Sequence, residues 1–303
     1  MSRAPVWVDG QMVPWESARI SLFAHAIQRG AGVFDVGVLR PQPGGSCALF
    51  RPQEHIARFL RSTVLVGLFQ PFDAARLLEA TIETARASAT TAGLVRWIAY
   101  IPTLEPDVVP GPDSRASVAI GILPPDPAAP PRPATLKVTI PRDLRKAGPE
   151  VFPPQAKVGA SYLGPMLAKR RAQEQGYDEV VLLDGEGHVA EAPTANVFAV
   201  RDGVLWTPPA ERVLAGITRD TVLAVARADG IPTREAHLVP GDLAGADEVF
   251  LTASSFPVQG VASIDGRRLS RDAPGPVTAR IAAAVSACER GGDPRFASWL
   301  VAV

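Results

Sequence analysis

The sequence predicts a protein of two domains, each of which mixes helices with strands. With 303 residues, the chain is long enough for two domains of ordinary size, each with its own apolar core. Residues 123–133 (LPPDPAAPPRP) contain six prolines, and such a run cannot form a helix interior or a central strand. We therefore place a smaller N-terminal domain at 1–122, an interdomain linker at 123–134 and a larger C-terminal domain at 135–303.

The composition favours an ordinary globular protein and excludes several functional classes. Apolar residues make up 47% of the chain and charged residues 20%. The 31 basic residues balance the 31 acidic residues, so we expect neither a nucleic-acid partner nor a membrane surface. Two cysteines and four scattered histidines predict no disulfide framework and no metal site. With no apolar run of membrane-span length and no signal-peptide pattern, the sequence predicts a cytoplasmic protein.

The N-terminal part contains two arginines that stand in structured segments. Residues 50–67 place His55, Arg58 and Ser62 at helical spacing, and residues 94–100 form an apolar strand pattern that Arg96 interrupts. An arginine inside an apolar strand needs an anionic partner. Taken alone, Arg58 is better interpreted as an exposed helix arginine.

Residues 157–200 form the most informative stretch. They are predicted to form a loop, a helix and two strands. Lys157 lies in the loop, and an amphipathic helix pattern opens at Tyr162 and stops at Gly176, a typical residue beyond a helix C-terminus. Residues 178–184 are β-branched and apolar, Asp184-Gly185 marks a reversal, and the returning strand carries Glu191 and Asn196.

A lysine followed by a lone acid on an apolar strand suits Schiff-base chemistry. A neutral lysine attacks a carbonyl, and the acid can hold a heteroaromatic nitrogen in its protonated form. The plainer interpretation is that Lys157 is a solvated surface lysine and Glu191 an exposed strand acid. The order of the whole constellation favours the chemical interpretation.

Three motifs carry a family resemblance: K-x-G-x-x-Y-L from Lys157, G-x-D-E-x-x-L-L-D from Gly176, and E-x-x-x-x-N-x-F from Glu191. They resemble the class IV pyridoxal-phosphate aminotransferases, the family of the branched-chain aminotransferases and D-amino-acid transaminases. The resemblance runs from V-W-V-D-G at residue 6 to G-P-V-T-A-R-I at residue 275. It implies the α+β fold of type IV, with an N-terminal α/β domain, a C-terminal domain with a β-barrel-like core, a site between the domains, and a homodimer.

The resemblance also implies a cofactor, pyridoxal 5′-phosphate, and a set of site residues. Lys157 takes the catalytic role. The implied cofactor-binding residues are Arg58, Lys157, Tyr162, Glu191, Asn196, Gly216, Ile217, Thr218 and Ser254. The implied substrate-binding residues are Arg29, Phe34, Arg96 and Ser255. For Ile217 and Thr218 a physical argument points the same way, because amides at a helix start bind phosphate.

The predicted reaction moves an amino group between an amino acid, of branched-chain type or related, and a 2-oxo acid such as 2-oxoglutarate or pyruvate. Departures from the family pattern leave alternatives open. Asp35 stands for the usual Glu, Val36 for Gly and Arg29 for Tyr, and we expect all three to face the substrate. The F-D-V sequence also resembles D-amino-acid and (R)-amine transaminases. An aminodeoxychorismate lyase ranks lower because G-A-G-V-F-D-V replaces its G-D-G-x-F-E-T. A non-enzymatic homologue would not need Lys157.

Overall fold

The computed structural model of the chain describes residues 4–269 and 273–303. Contacts divide these residues into two compact units. The first unit runs to Ala128 and includes residues 156–160 and 288–303. The second unit comprises residues 129–155 and 161–287. The division between Ala128 and Ala129 lies within the segment predicted as a linker, 123–134.

The first unit is built on a seven-stranded antiparallel sheet. Numbered along the whole chain, its strands are β1 (Val6–Val8), β2 (Gln11–Val13), β3 (Val33–Pro41), β4 (Cys47–Phe50), β5 (Gly93–Tyr100), β6 (Ser117–Leu123) and β15 (Leu300–Ala302). They lie in the order β15-β4-β3-β5-β6-β1-β2. Its helices are α1 (His25–Arg29), α2 (Pro52–Leu65) and α3 (Ala74–Ala87). Strand order places β3 and β5, the predicted site strands, side by side at the centre.

One face of this sheet is covered by α2 and α3, and β5 shows the alternation that results. Val95, Trp97 and Ala99 are buried, and the Trp97 indole N–H donates to the Thr81 hydroxyl of α3 over 2.9 Å. Because successive strand residues point to opposite faces, Arg96 lies on the face away from the helices. The predicted strand at 94–100 is present, with Gly93 added at its start.

Two later segments complete the first unit. Val158 forms an antiparallel bridge with Val33 at the start of β3, and β15 pairs with the edge strand β4. These backbone hydrogen bonds attach both segments to the sheet of the first unit, although both segments follow the second unit's first strand in the sequence. The range 135–303 predicted for the second domain therefore differs from the second unit at residues 156–160 and 288–303.

The second unit contains an eight-stranded mixed sheet. Its strands are β7 (Leu136–Thr139), β8 (Glu179–Val180), β9 (Asn196–Arg201), β10 (Val204–Thr207), β11 (Thr233–Glu235), β12 (Glu248–Ala253), β13 (Phe256–Ile264) and β14 (Arg267–Arg268). The order is β11-β10-β9-β12-β13-β7-β8, and β14 pairs with β13. The helices are α4 (Leu163–Glu174), α5 (Ile217–Ala228), α6 (Pro240–Ala244) and α7 (Pro276–Glu289), of which the last two residues group with the first unit. Short 3₁₀ helices lie at Trp15–Ser17, Pro43–Gly45, Gly159–Tyr162 and Pro294–Trp299.

The helix predicted from Tyr162 forms, but its buried face differs from the predicted one. Tyr162 is the N-cap of α4, and Gly176 follows the helix with a φ of 85°. The apolar residues that gave the pattern its amphipathic character, Leu163, Met166 and Leu167, are exposed in this chain. Ala168 and Ala172 instead pack against Val180 and Leu182. Small alanines let the helix approach β8 closely, which the hydrophobic pattern alone does not reveal.

The predicted strands around Glu191 are shorter in the structure than in the sequence pattern. Of residues 178–184, only Glu179 and Val180 form a regular strand. The reversal at residues 184–185 is present: the Asp184 amide donates to the His188 carbonyl over 2.8 Å, and the Leu182 amide donates to the Glu191 carbonyl over 3.0 Å. Glu191 thus lies just before β9 rather than inside it. Among the helices of the described residues, none combines the length and apolar character that a membrane span requires.

Candidate active site

Lys157 is a buried lysine whose backbone is fixed on both sides. Its carbonyl accepts from the Phe34 amide over 3.0 Å, and its amide donates to the Ser62 hydroxyl over 3.1 Å. Next to it, the Gly159 amide donates to the Gly32 carbonyl over 2.8 Å. The Lys157 Nζ lies 4.8 Å from the centre of the Phe34 ring. The first unit therefore holds this lysine at the start of β3, with the predicted substrate residue Phe34 beside it.

The chain contains four lysines, and they differ in burial and in surroundings. The Nζ atoms of Lys146 and Lys169 form ion pairs with Glu191 and Glu179 at 2.5 and 2.6 Å. Lys137 is exposed on β7. Lys157 is the one of the four that is buried as a whole residue.

Arg58 lies beneath the same sheet in a buried cluster with Asp35 and His55. The Arg58 Nε donates to Asp35 Oδ2 and the Arg58 Nη2 donates to Asp35 Oδ1, both over 2.8 Å. The Nδ1 of His55 lies 2.7 Å from Asp35 Oδ1, and because an ionised carboxylate only accepts, this nitrogen carries the proton. The His55 ring stacks on Trp97 at 5.8 Å between centroids. Arg58 was predicted to bind the cofactor phosphate, but two of its hydrogen-bond donors bind the Asp35 carboxylate.

The position of Asp35 corrects one expectation from the sequence. Asp35 is fully buried on the helix-covered side of β3, so it does not face the substrate. Burial alone would raise the pKa of Asp35, but the Arg58 guanidinium, helped by His55, holds that pKa well below its usual range. Burial lowers the pKa of His55, against the opposing effect of its bond to Asp35. The cluster is therefore an ionised carboxylate between a guanidinium and a neutral imidazole.

Ser62 links this cluster to the lysine. Its hydroxyl donates to the Arg58 carbonyl one helical turn earlier, over 2.9 Å, and accepts from the Lys157 amide. Ser62 is fully buried. One helix therefore positions both the arginine and the lysine loop. The sequence placed Ser62 on this helix without assigning it a role.

The opposite face of the first sheet lines a groove of about 470 Å³. Arg96, Ile98 and Tyr100 of β5 contribute to it, and Arg19, from the segment before α1, lies on its wall. The remaining lining is mostly apolar. Arg29, which we predicted to bind substrate, is exposed at the last turn of α1 and does not line this groove. Among the described residues, the arginine that shares this groove with Arg96 is thus Arg19.

In the second unit, Glu191 is the centre of a hydrogen-bond network. Its Oε2 accepts from the Asn196 Nδ2 and from the Leu214 amide, each over 3.1 Å. The Asn196 Nδ2 also donates to the Leu214 carbonyl over 2.9 Å. The Lys146 Nζ lies 2.5 Å from Oε1. This arrangement fixes the orientation of a carboxylate that can accept a hydrogen bond from a ring nitrogen.

The network continues directly to the start of α5. A Cβ built on Gly216 would collide with the Asn196 Oδ1, so only glycine fits between Asn196 and the helix. Gly216 has no side chain with which to cap α5, and the amides of Ile217 and Thr218 open the helix. First-turn amides, together with the positive end of the helix dipole, bind anions such as phosphate. A fixed acid beside a phosphate cradle fits a phosphorylated heteroaromatic cofactor.

The remaining predicted residues lie in the second unit at turns and helix starts. Ser254 and Ser255 form the tight turn between β12 and β13, and Ser254 is half-buried whereas Ser255 is exposed. Tyr162 is half-buried at the N-terminus of α4. These positions leave their side chains accessible for ligand contacts. Their predicted roles stay predictions.

The family model for amino-transferase class IV matches residues 32–264 of the chain. This is more than half of its length. The chain belongs to the class IV aminotransferases. The family and the enzyme class predicted from the three motifs are thereby confirmed.

Relatives of this class IV aminotransferase are similar to it over almost the whole chain. The branched-chain-amino-acid aminotransferase of Salmonella typhimurium is 31% identical over 300 residues, which cover 97% of this chain and 96% of the relative. The branched-chain aminotransferase of Thermoproteus uzoniensis, solved with norvaline, superposes with a TM-score of 0.91 at 32% identity, covering 99% of both chains. The branched-chain amino acid aminotransferase of Thermobaculum terrenum, solved in its PLP form, gives 0.91 at 27% identity, covering 100% of this chain and 99% of the other. The predicted α+β fold of the class is confirmed.

The contacts of three residues in the site regions of this class IV chain were not predicted from the sequence. Asp35 and His55 gave one usable signal: a charged residue in an apolar strand needs a buried partner, and His55 and Arg58 share a helix face at i, i+3. Lys146 gave only a weak signal, as one of four lysines in the chain. Its contact with Glu191 joins residues 45 positions apart. Only the fold brings them together.

Proposed function

We propose that this class IV aminotransferase moves an amino group between an amino acid of branched-chain type and a 2-oxo acid such as 2-oxoglutarate or pyruvate. The observation that carries the proposal is Lys157, a buried lysine whose backbone is held against β3 and α2. The relatives described above are branched-chain aminotransferases, which favours branched-chain substrates for this chain.

Pyridoxal 5′-phosphate is the cofactor, and the residues of the second unit fit it. The cofactor supplies a carbonyl for the lysine and a ring that takes up the electron pair of the substrate α-carbon. Glu191 accepts a hydrogen bond from the ring nitrogen and balances its charge. Ile217 and Thr218 hold the phosphate at the start of α5, with Ser254 beside them. Tyr162 donates to the phenolic oxygen.

Lys157 carries the proton transfers. Its Nζ would hold the cofactor, and as general base it would take the proton from the substrate α-carbon. Lys157 is buried, and its Nζ lies 4.8 Å from the centre of the Phe34 ring. Arg58 contributes to phosphate binding, and Asn196 positions Glu191.

The substrate carboxylate is bound by Arg96 in the groove of the first unit. The groove walls are mostly apolar, with side chains such as Ile20, Ile27 and Ile98 beside the guanidinium of Arg96. An apolar pocket with a few placed charges suits an amino acid with an aliphatic side chain. Phe34 and the Ser255 amide are further substrate contacts, and Arg29 is a candidate for a second carboxylate.

The protein works as a cytoplasmic homodimer in this proposal. Several large apolar side chains of the first unit are exposed in the single chain, among them Leu22, Phe23, Leu104, Val108 and Val109. Contiguous exposed apolar surface indicates a protein interface. Light scattering of the purified protein should give twice the chain mass of 32.0 kDa. A monomer would contradict this part of the proposal.

The proposal is tested by a half-reaction screen. The purified protein is loaded with pyridoxal 5′-phosphate and mixed separately with L-leucine, L-glutamate, D-alanine and (R)-phenylethylamine, while the cofactor absorbance is followed. We expect the fastest change with an L-amino acid. The F-D-V sequence at residues 34–36 keeps D-amino-acid and (R)-amine transamination as the second candidate, and a faster change with those donors would select it. Pyruvate release from aminodeoxychorismate would indicate the lyase instead.

A further inference from the structure

Lys146 is a charged group in direct contact with Glu191, the predicted cofactor-binding acid. Its Nζ lies 2.5 Å from Glu191 Oε1, on the side of the carboxylate that Asn196 and the Leu214 amide leave to it. The side chains of Lys146 and Glu191 are only 16% and 15% exposed. At this burial the pair is shielded from solvent, unlike the surface pairs that contribute little.

The backbone around Lys146 is held firmly enough to aim its side chain. The Lys146 amide donates to the Leu183 carbonyl over 2.8 Å, and Arg145 forms a parallel bridge with Leu183. Leu183 is itself buried in the core of the second unit. Ordering a lysine side chain costs conformational entropy. Because the backbone of Lys146 is already fixed, only the side-chain part of that cost remains.

We propose that Lys146 is a positioning residue for Glu191, acting on the cofactor only through that carboxylate. The inference rests on the proposed function, since it assigns Glu191 to the cofactor ring. Three donors leave Glu191 one orientation, and the ammonium balances its negative charge. Without Lys146, Oε1 loses its partner and the carboxylate can rotate away from the ring nitrogen. Groups that orient a ligand commonly change affinity or activity 10- to 100-fold when they are removed.

Lys169 offers a matched control in the same unit. It also forms an ion pair with a mostly buried acid, Glu179, at 2.6 Å, but Glu179 has no predicted role in the site. The pair Lys169–Glu179 therefore reports what loss of such a contact does to the fold alone. Lys146→Met and Lys169→Met remove the charge with little change of length, and Lys146→Arg restores a cation.

The experiment measures pyridoxal 5′-phosphate binding to the apo-protein by fluorescence quenching, together with kcat and KM of the reconstituted protein. For Lys146→Met we expect a cofactor Kd about tenfold higher and a kcat about tenfold lower, with a KM for the amino acid changed less than about twofold. Lys146→Arg should return both values to within about threefold of wild type. Lys169→Met should leave them within about twofold.

A double-mutant cycle separates positioning from a general effect on the fold. If Lys146 acts through Glu191, the Lys146→Met change should add less than about twofold to the loss caused by Glu191→Gln. Additive losses, or a Lys146→Met variant that behaves like Lys169→Met, would overturn the inference while leaving the proposed function intact. A wild-type protein that binds no pyridoxal 5′-phosphate would overturn both. If Lys146→Met does not fold, the cofactor Kd and the kcat of Lys146→Arg and of Glu191→Gln decide whether the inference holds.

Discussion

The carboxylate of Asp35 and the guanidinium of Arg58 form a two-point ion pair, with both hydrogen bonds at 2.8 Å and both side chains buried. The pair joins the central strand β3 to α2 on the side away from the groove. Arg58 is therefore held by a partner whether or not a phosphate is present. Asp35 departs from the family pattern, and it stabilises the buried contact between β3 and α2 instead of contacting the substrate.

Asp35→Asn should strongly destabilise the protein. The substitution removes the negative charge of a buried ion pair, and removing one partner of such a pair costs about 3–5 kcal/mol. Urea unfolding of the apo-protein measures the change. Glu83→Gln, in the exposed pair between Arg76 and Glu83, is the control and should change stability by less than about 1 kcal/mol. If both substitutions lowered the free energy of unfolding equally, the buried pair would stabilise the protein no more than the exposed pair does.

The stability of the apo-protein should fall as the pH drops below about 6.5. Because burial lowers the pKa of His55 in the folded protein, the unfolded chain binds a proton there first, and folding then loses up to about 1.4 kcal/mol per pH unit. The Asp35 pair is unaffected in this window, since its pKa lies well below it. Urea unfolding at about pH 7.5 and pH 5.5, on either side of the ordinary histidine pKa, should show a smaller loss for His55→Gln than for wild type. His237→Gln, at a histidine outside the buried cluster, should behave as wild type does.

Lys157→Ala should abolish amino transfer and leave a cofactor that dialysis removes. The amine that binds the cofactor carbonyl is then absent. Borohydride reduction followed by mass measurement should attach the cofactor covalently to wild type and not to the variant. Covalent attachment to Lys157→Ala would move the catalytic role to Lys137, Lys146 or Lys169.

Glu191→Gln should retain the cofactor and lose most of the rate. A neutral amide cannot balance a protonated ring nitrogen, and the loss of one preorganised electrostatic contact costs about 3 kcal/mol in the transition state. This corresponds to a kcat lower by about two orders of magnitude. The half-reaction rate with L-leucine measures it. A variant within about twofold of wild type would identify Glu191 as a structural acid.

Arg29→Tyr should change which substrates the enzyme prefers. The prediction depends on Arg29 reaching a substrate carboxylate from its exposed position at the end of α1, and each charge-assisted bond to a carboxylate contributes about 1.5–3 kcal/mol. Arg19→Gln is the companion variant because Arg19 lines the groove with Arg96. The rates with leucine, glutamate, D-alanine and (R)-phenylethylamine are ranked for each. An unchanged ranking in Arg29→Tyr, with a changed one in Arg19→Gln, would transfer the role to Arg19.

The sequence predicted the positions of helices and strands better than the contacts between their side chains. The apolar run in residues 94–100 correctly placed a strand, and the glycine at 176 correctly ended a helix, because both signals are local. The buried face of α4 was predicted wrongly, since Leu163, Met166 and Leu167 are exposed and two alanines pack instead. The ties of Asp35 to Arg58 and of Lys146 to Glu191 span 23 and 45 positions. Local pattern carries no information about such distant pairs.

The assignment of residues 156–160 and 288–303 to the first unit has a consequence for recombining family members. Consider a chimera in which everything before the proline-rich segment comes from another family member. In it, Lys157 would lie against the β3 of the other protein, and β15 would pair with the β4 of the other protein. Crossovers placed at that segment alone therefore mismatch the lysine loop and the sheet edge together. A chimera that carries both segments with their own sheet keeps these contacts native.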